Sequence, residues 1–191
     1  MTATAVPRSK AAAPVRTATL VRGEERVTSL GARRWLAVAR WGTGFIFLWA
    51  FLDKTFGLGF STAREAAWIH GGTPSQGFMT HAAVGPFKGL FATLASPATD
   101  VLFMLAMLGV GVAVILGIGL RASAVVGSLV MLLMWMAEWP LADGSTNPLV
   151  DYHIVYALML IVIAATLAGD TWGLGRRWRE LPVVRRLAWL R

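Results

Sequence analysis

Cysteine is absent from this 191-residue chain, histidine occurs three times and tyrosine twice, and only ten residues are acidic. Without cysteine, disulfide stapling, thiol chemistry and thiolate-held metal centres are excluded on the chain's own residues. The histidines, His70, His81 and His153, show no HxH or HxxxH spacing. Only His153 falls in an apolar segment, so a bis-histidine haem has too few ligands and no metal set stands out. No Ser–His–Asp set can be argued either, and the glycines of GGTPSQGF match no phosphate-binding spacing, leaving them a turn role. Charge is the largest deficit. At 15% charged against 56% hydrophobic, with a mean hydropathy of +0.60, this is not the composition of a soluble domain.

What is present is apolar length. Residues 101–120, 122–137 and 154–169 carry no charge at all. Residues 35–54 would span roughly 30 Å as a helix, about one hydrocarbon core. The expected spans are about 35–57, 99–119, 121–141 and 150–168. The fold class is therefore all-α, an integral membrane four-helix bundle in a single domain. Two short interfacial helices should lie between the first two spans. One runs through Trp68, with Thr62 and Glu65 at capping-box spacing, and the other covers 86–95. Gly44 on the first span, and Gly109, Ala113 and Gly117 at four-residue spacing on the second, are the candidate helix-packing positions. Met131, Met134 and Met136 read as adaptable packing.

The charge distribution sets the orientation. Residues 1–34 have a net charge of +5 and residues 169–191 one of +4, leaving −1 for everything between. Basic residues beside membrane helices mark the cytoplasmic side, so the basic balance points to the membrane and not to nucleic acid. Both termini should be cytoplasmic, with the loop bearing Glu138, Asp143 and Asp151 outside. Residues 1–32 read as a disordered basic tail, 33–170 as the membrane domain, and 171–191 as a basic amphipathic tail suited to anionic headgroups. The Arg33–Arg34 pair is followed by no cleavage pattern, so a retained anchor is expected.

Candidate chemistry gathers at the outer end of these spans. Asp53 and Lys54 close the first, Glu138 closes the third, and Asp151, His153 and Tyr156 open the fourth. Asp53 or Lys54 should pair with Glu138 or Asp151, because uncompensated charge in hydrocarbon is costly. Arg40, deeper in the first span, has two readings: a functional intramembrane charge, or a side chain snorkelling to the headgroups. An apolar pocket with donors from Lys54, His153 or Tyr156 would meet the loose requirements of a quinone site. The alternative is that helix ends simply collect polar groups.

Several strings also carry a resemblance. Arg40, Gly44, Phe47 and Lys54 followed by Gly57-Leu58-Gly59, then AWIHGGTP at 67–74, NPLVDYH at 147–153 and TWGLG at 171–175, resemble DoxX-type membrane proteins over about residues 33–178. The resemblance implies a four-helix bundle related to the DoxD-type subunit of thiosulfate:quinone oxidoreductase. It also implies Arg40, Lys54 and His153 as functional positions, a quinone as ligand with no covalent cofactor or metal, and a redox partner subunit or homo-oligomer at the plasma membrane. A docking protein that recruits a cytoplasmic partner is the alternative. A small-solute transporter fits less well, because Pro-interrupted spans and internal repeats are missing.

Overall fold

The computed structural model describes residues 26–142 and 147–190. The expected tail over residues 1–25 and Asp143 of the acidic loop lie outside the described residues. Regular structure among the described residues is helical, apart from an isolated bridge between Val84 and Glu138.

Helix α1, Leu30–Phe56, begins where the Ser29 hydroxyl accepts the Ala32 N–H and ends at Gly57, whose φ of 63° suits a residue without Cβ. It starts five residues earlier than expected and takes residues 30–32 out of the tail. The connection to the next long helix holds α2 (Pro74–Gly77) and α3 (Lys88–Leu94), with single 3₁₀ turns at Arg64–Ala66 and Trp68–His70 and a short π turn at Phe78–Ala82. The first 3₁₀ turn is not capped by Thr62, contrary to the capping-box spacing; Ala63 stands at its N-cap.

Helix α4, Pro97–Leu116, has Pro at its first position and a reciprocal Ser96–Thr99 cap. A left-handed pair, Gly117 and Gly119, turns the chain directly into α5, Leu120–Ala137. Helix α5 stops four residues short of expectation, because Pro140 cannot continue it. Helix α6, Tyr152–Ala165, is capped by the Asp151 carboxylate and stops early as well, where Leu167 takes a φ of 52°. The C-terminal part forms α7 (Gly175–Glu180) and α8 (Pro182–Arg186).

Three helices, α1, α4 and α5, are long and apolar enough to cross a membrane. Helix α6 is apolar but has 14 residues, about 21 Å at helical rise. The four pack in a ring, α1 on α4, α4 on α5, α5 on α6 and α6 on α1. Outward-facing Leu102, Leu105, Val125, Leu129 and Leu158 are all more than half exposed. An apolar surface of that extent fits lipid, not water.

At the crossing of α1 on α4 the two backbones come close. A Cβ on Gly44 would stand 2.7 Å from Ile115 Cγ1, and one on Gly111 would stand 2.6 Å from the Leu48 nitrogen. In hydrocarbon such backbone approach supplies much of the association energy. Gly109 does not take the packing role expected of it, since it is exposed and a Cβ there would meet nothing within 4 Å. Gly117 lies beyond the helix end and approaches Gly169 instead of another helix, and Ala113 is half-buried. The central core is built from Phe47, Met107, Val110, Met131, Leu160 and Ile163. A smaller cluster of Ala83, Phe91 and Ala137 fastens α3 and its loop to the end of α5, where the Val84 N–H also donates to the Ala137 carbonyl at 2.8 Å.

Candidate functional site

Glu138, the C-cap of α5, and the first turn of α6 meet at one end of the bundle. Asp151 accepts the N–H groups of His153 and Ile154 at 2.9 and 3.2 Å, satisfying amides that an α-helix leaves open at its start. That cap fixes the carboxylate, whose Oδ2 lies 2.8 Å from His153 Nδ1. A carboxylate accepts, so Nδ1 carries the proton and Nε2 bears the lone pair in the neutral ring. The His153 side chain is 1% exposed, and Nε2 is buried without a hydrogen-bond partner. Tyr152 lies against the imidazole with ring centroids 4.0 Å apart, and its hydroxyl donates to Glu138 Oε2 at 3.0 Å. Tyr156, one turn deeper, packs on the central core with its ring 5.9 Å from Tyr152.

The expected outer group therefore divides. Glu138, Asp151 and His153 do come together, joined by Tyr152. Asp53 and Lys54 are engaged elsewhere. The Asp53 carboxylate, 1% exposed, accepts the Phe60 N–H at 3.2 Å, the Ser61 N–H at 3.0 Å and the Ser61 hydroxyl at 2.7 Å. Lys54 Nζ donates to the same hydroxyl at 3.4 Å. Neither forms an ion pair with Glu138 or Asp151 among the described residues, which corrects that expectation. The reason is local: the chain turns back within eight residues and satisfies the carboxylate before another helix can reach it. His70 and His81 are exposed and bond to nearby backbone, His70 Nδ1 to the Arg64 carbonyl and His81 Nδ1 to that of Gly77.

Asp100 has the same kind of role and stands outside the expected set. Buried in the first turn of α4, it accepts the Ser75 N–H and hydroxyl at 2.7 and 2.6 Å and the Gln76 N–H at 3.1 Å, with the Gln76 side-chain amide on its second oxygen. The available signal was a lone acid heading an uncharged run, which is also what an ordinary helix N-terminus looks like.

Arg40 does not snorkel, and it faces no partner acid among the described residues. It is completely buried, and its Nη1 donates to the carbonyls of Val114, at 2.7 Å, and Ile115. Its Nη2 reaches the carbonyls of Trp172 at 3.1 Å and Thr171 at 3.4 Å. The guanidinium thus closes the carbonyl end of α4, where the helix dipole favours a cation, and ties it to the chain after α6. Arg33, one heptad earlier, donates from Nε to the Thr171 hydroxyl at 3.2 Å.

Two small cavities lie at this basic end. One of about 20 Å³ is lined by Arg26, Arg33 and Thr171 among others, and one of about 10 Å³ lies between Gly119, Leu167 and Trp178. Neither holds more than a water or so. The three groups at the acidic end could hold a metal ion, since one ligand atom from each of Glu138, Asp151 and His153 falls within 4.8 Å of the others. Histidine spacing could not indicate this, because the ligands come from two helix ends. No family model, no curated protein and no solved structure matches this chain.

Proposed function

We propose that the chain is a DoxX-like plasma-membrane protein with four spans and both termini in the cytoplasm, serving as the membrane subunit of a quinone-linked redox complex. Its basic end gathers Arg33, Arg34, Arg40, Arg121 and the arginines after α6, and this end faces the cytoplasm by the positive-inside rule. Helix α6 is the fourth span, its shortness met by local thinning of the bilayer.

The observation that carries the redox reading is the Asp151–His153 pair with its unpartnered Nε2. Oxidising a hydroquinone removes two electrons and two protons. A buried imidazole whose far nitrogen is held by a carboxylate can accept one hydroxyl proton at Nε2, the resulting imidazolium being stabilised by Asp151, while the second proton leaves to water at the outer face. The electrons pass to a redox centre on the partner subunit. The amphiphilic ligand would enter from lipid at the outer end, displacing side chains around Tyr152 and Tyr156.

Purification in mild detergent followed by solvent extraction tests this reading. Wild-type protein should carry a lipid-soluble quinone, and added hydroquinone should raise its melting temperature. His153→Phe should lose both effects while keeping the helical fold. Quinone-free wild-type protein with no melting shift would overturn the reading. The docking alternative would then stand on the exposed Arg176, Arg177 and Arg186 of the C-terminal helices.

A further inference from the structure

We infer that Glu138, Asp151 and His153 form a binding site for one divalent transition-metal ion. A carboxylate oxygen from each acid and a ring nitrogen from the histidine lie within 4.8 Å of one another. Small side-chain rotations bring such a triangle to ligand distances of roughly 2.0–2.2 Å around a common ion.

Two further observations point to a cation. The first is His153 itself: at 1% exposure it is buried, and Nδ1, the ring nitrogen turned to the acids, lies 2.8 Å from Asp151 Oδ2. An ion bound at Nδ1 displaces the proton there, and the neutral ring then keeps its one proton at Nε2. The second is charge. The chain has no Lys or Arg anywhere between Arg121 and Arg176. Arg121 opens α5, at the end opposite Glu138, and Lys54 is engaged with Ser61. Among the described residues the two carboxylates are met by neutral donors, namely the Tyr152 hydroxyl, the His153 ring and the backbone amides of α6. Two like charges so close stabilise each other poorly without a cation.

The donor set selects the ion. Two carboxylates and an imidazole suit Zn²⁺, Mn²⁺ or Co²⁺, whereas Ca²⁺ and Mg²⁺ prefer oxygen alone. Three protein ligands leave coordination positions to water, so the ion would exchange instead of being sealed in. Glu138 and Asp151 are half-buried, which leaves it a way in from the outer aqueous face. Bound there, it would clamp the end of α5 to the start of α6. This inference does not rest on the quinone reading, though both use the His153 imidazole.

The test is calorimetric titration of the full-length protein, chelator-treated and in quinone-free detergent, with Zn²⁺, Mg²⁺ and Ca²⁺ in turn. One Zn²⁺ per chain should bind saturably, at least tenfold more tightly than Mg²⁺ or Ca²⁺. Glu138→Gln, on a half-exposed side chain, should weaken Zn²⁺ at least tenfold without moving the melting temperature of the metal-free protein. Glu65→Gln, on an exposed acid in the 64–66 turn, should bind as wild type does. Tyr152→Phe frees Glu138 from its competing hydrogen bond and should bind Zn²⁺ at least as well as wild type. Absence of saturable Zn²⁺ binding, or equal affinity in wild type and Glu138→Gln, would overturn the site. Because no quinone is present, a failure of the quinone reading leaves these outcomes unchanged.

Discussion

Ser75 donates both its N–H and its hydroxyl to one oxygen of Asp100, at 2.7 and 2.6 Å, and so fastens the loop between α1 and α4 to the first turn of α4. Asp53 does the same for the turn at Phe60 and Ser61. Buried acids at this end of the bundle thus hold loops, which separates them from the Glu138–Asp151–His153 group.

Asp100→Asn should therefore loosen residues 74–95 more than the helices. The amide puts its own donors where the Ser75 and Gln76 donors now point, and each unsatisfied buried group costs about 1–3 kcal/mol. Limited proteolysis should show faster cleavage within 74–95, with the α4–α5 fragment remaining intact. Cleavage at the wild-type rate would show that the carboxylate does not hold the loop.

The two glycines of α4 should behave in opposite ways. Gly111→Ala forces a Cβ against the α1 backbone at Leu48 and should lower the melting temperature by several degrees. Gly109→Ala projects into open space and gains helix propensity, worth up to about 1 kcal/mol, so it should be neutral or stabilising. Equal effects in a detergent melt would contradict the α1–α4 crossing described above.

Arg40→Ala should be the most damaging single change at the basic end. It leaves the carbonyls of Val114, Ile115 and Trp172 without this donor, at about 1–3 kcal/mol for each group left buried and unpaired. Arg40→Lys should recover only part of the loss, because an ammonium cannot fork between α4 and the chain beyond α6 as a planar guanidinium does. Melting curves of the three proteins should rank wild type, lysine, alanine; lysine equal to wild type would refute the forked geometry.

Topology can be read by labelling, since the natural chain has no cysteine to remove. Ser75 is a poor position, being buried on Asp100. Ala82 and Arg186 are exposed at opposite ends. In intact cells an impermeant thiol reagent should modify Ala82→Cys and spare Arg186→Cys until lysis. The reverse pattern would invert the proposed orientation.

The helical class and the positions of the long helices were legible in the sequence, because uncharged runs of this length have few other outcomes. Helix ends were less so. The end of α6 depends on Leu167 adopting a left-handed backbone, which no glycine announces. Small residues at 109, 113 and 117 formed a tidier stripe than Gly111 alone, yet the register of a crossing depends on the partner's shape, which spacing does not carry. Asp53 was assigned a distant partner because charge in a membrane helix implies one, but the nearest donors came from its own following turn. The Glu138–His153 group was visible as residues at helix ends. Its closeness, and the spare nitrogen, required the fold.

Arg40 also imposes an order on biogenesis. Its first carbonyl partner, Val114, lies 74 residues downstream, and Trp172 lies 132 downstream. While the ribosome is still making the loop after α1, that helix presents to the bilayer an apolar segment with a bare guanidinium inside it, a burden of roughly 2.5–3.5 kcal/mol on insertion scales. Until a partner arrives, α1 carries that burden against the apolar side chains of its own segment. It settles when α4 arrives with its carbonyl end, and its guanidinium is fully held only once α6 has passed.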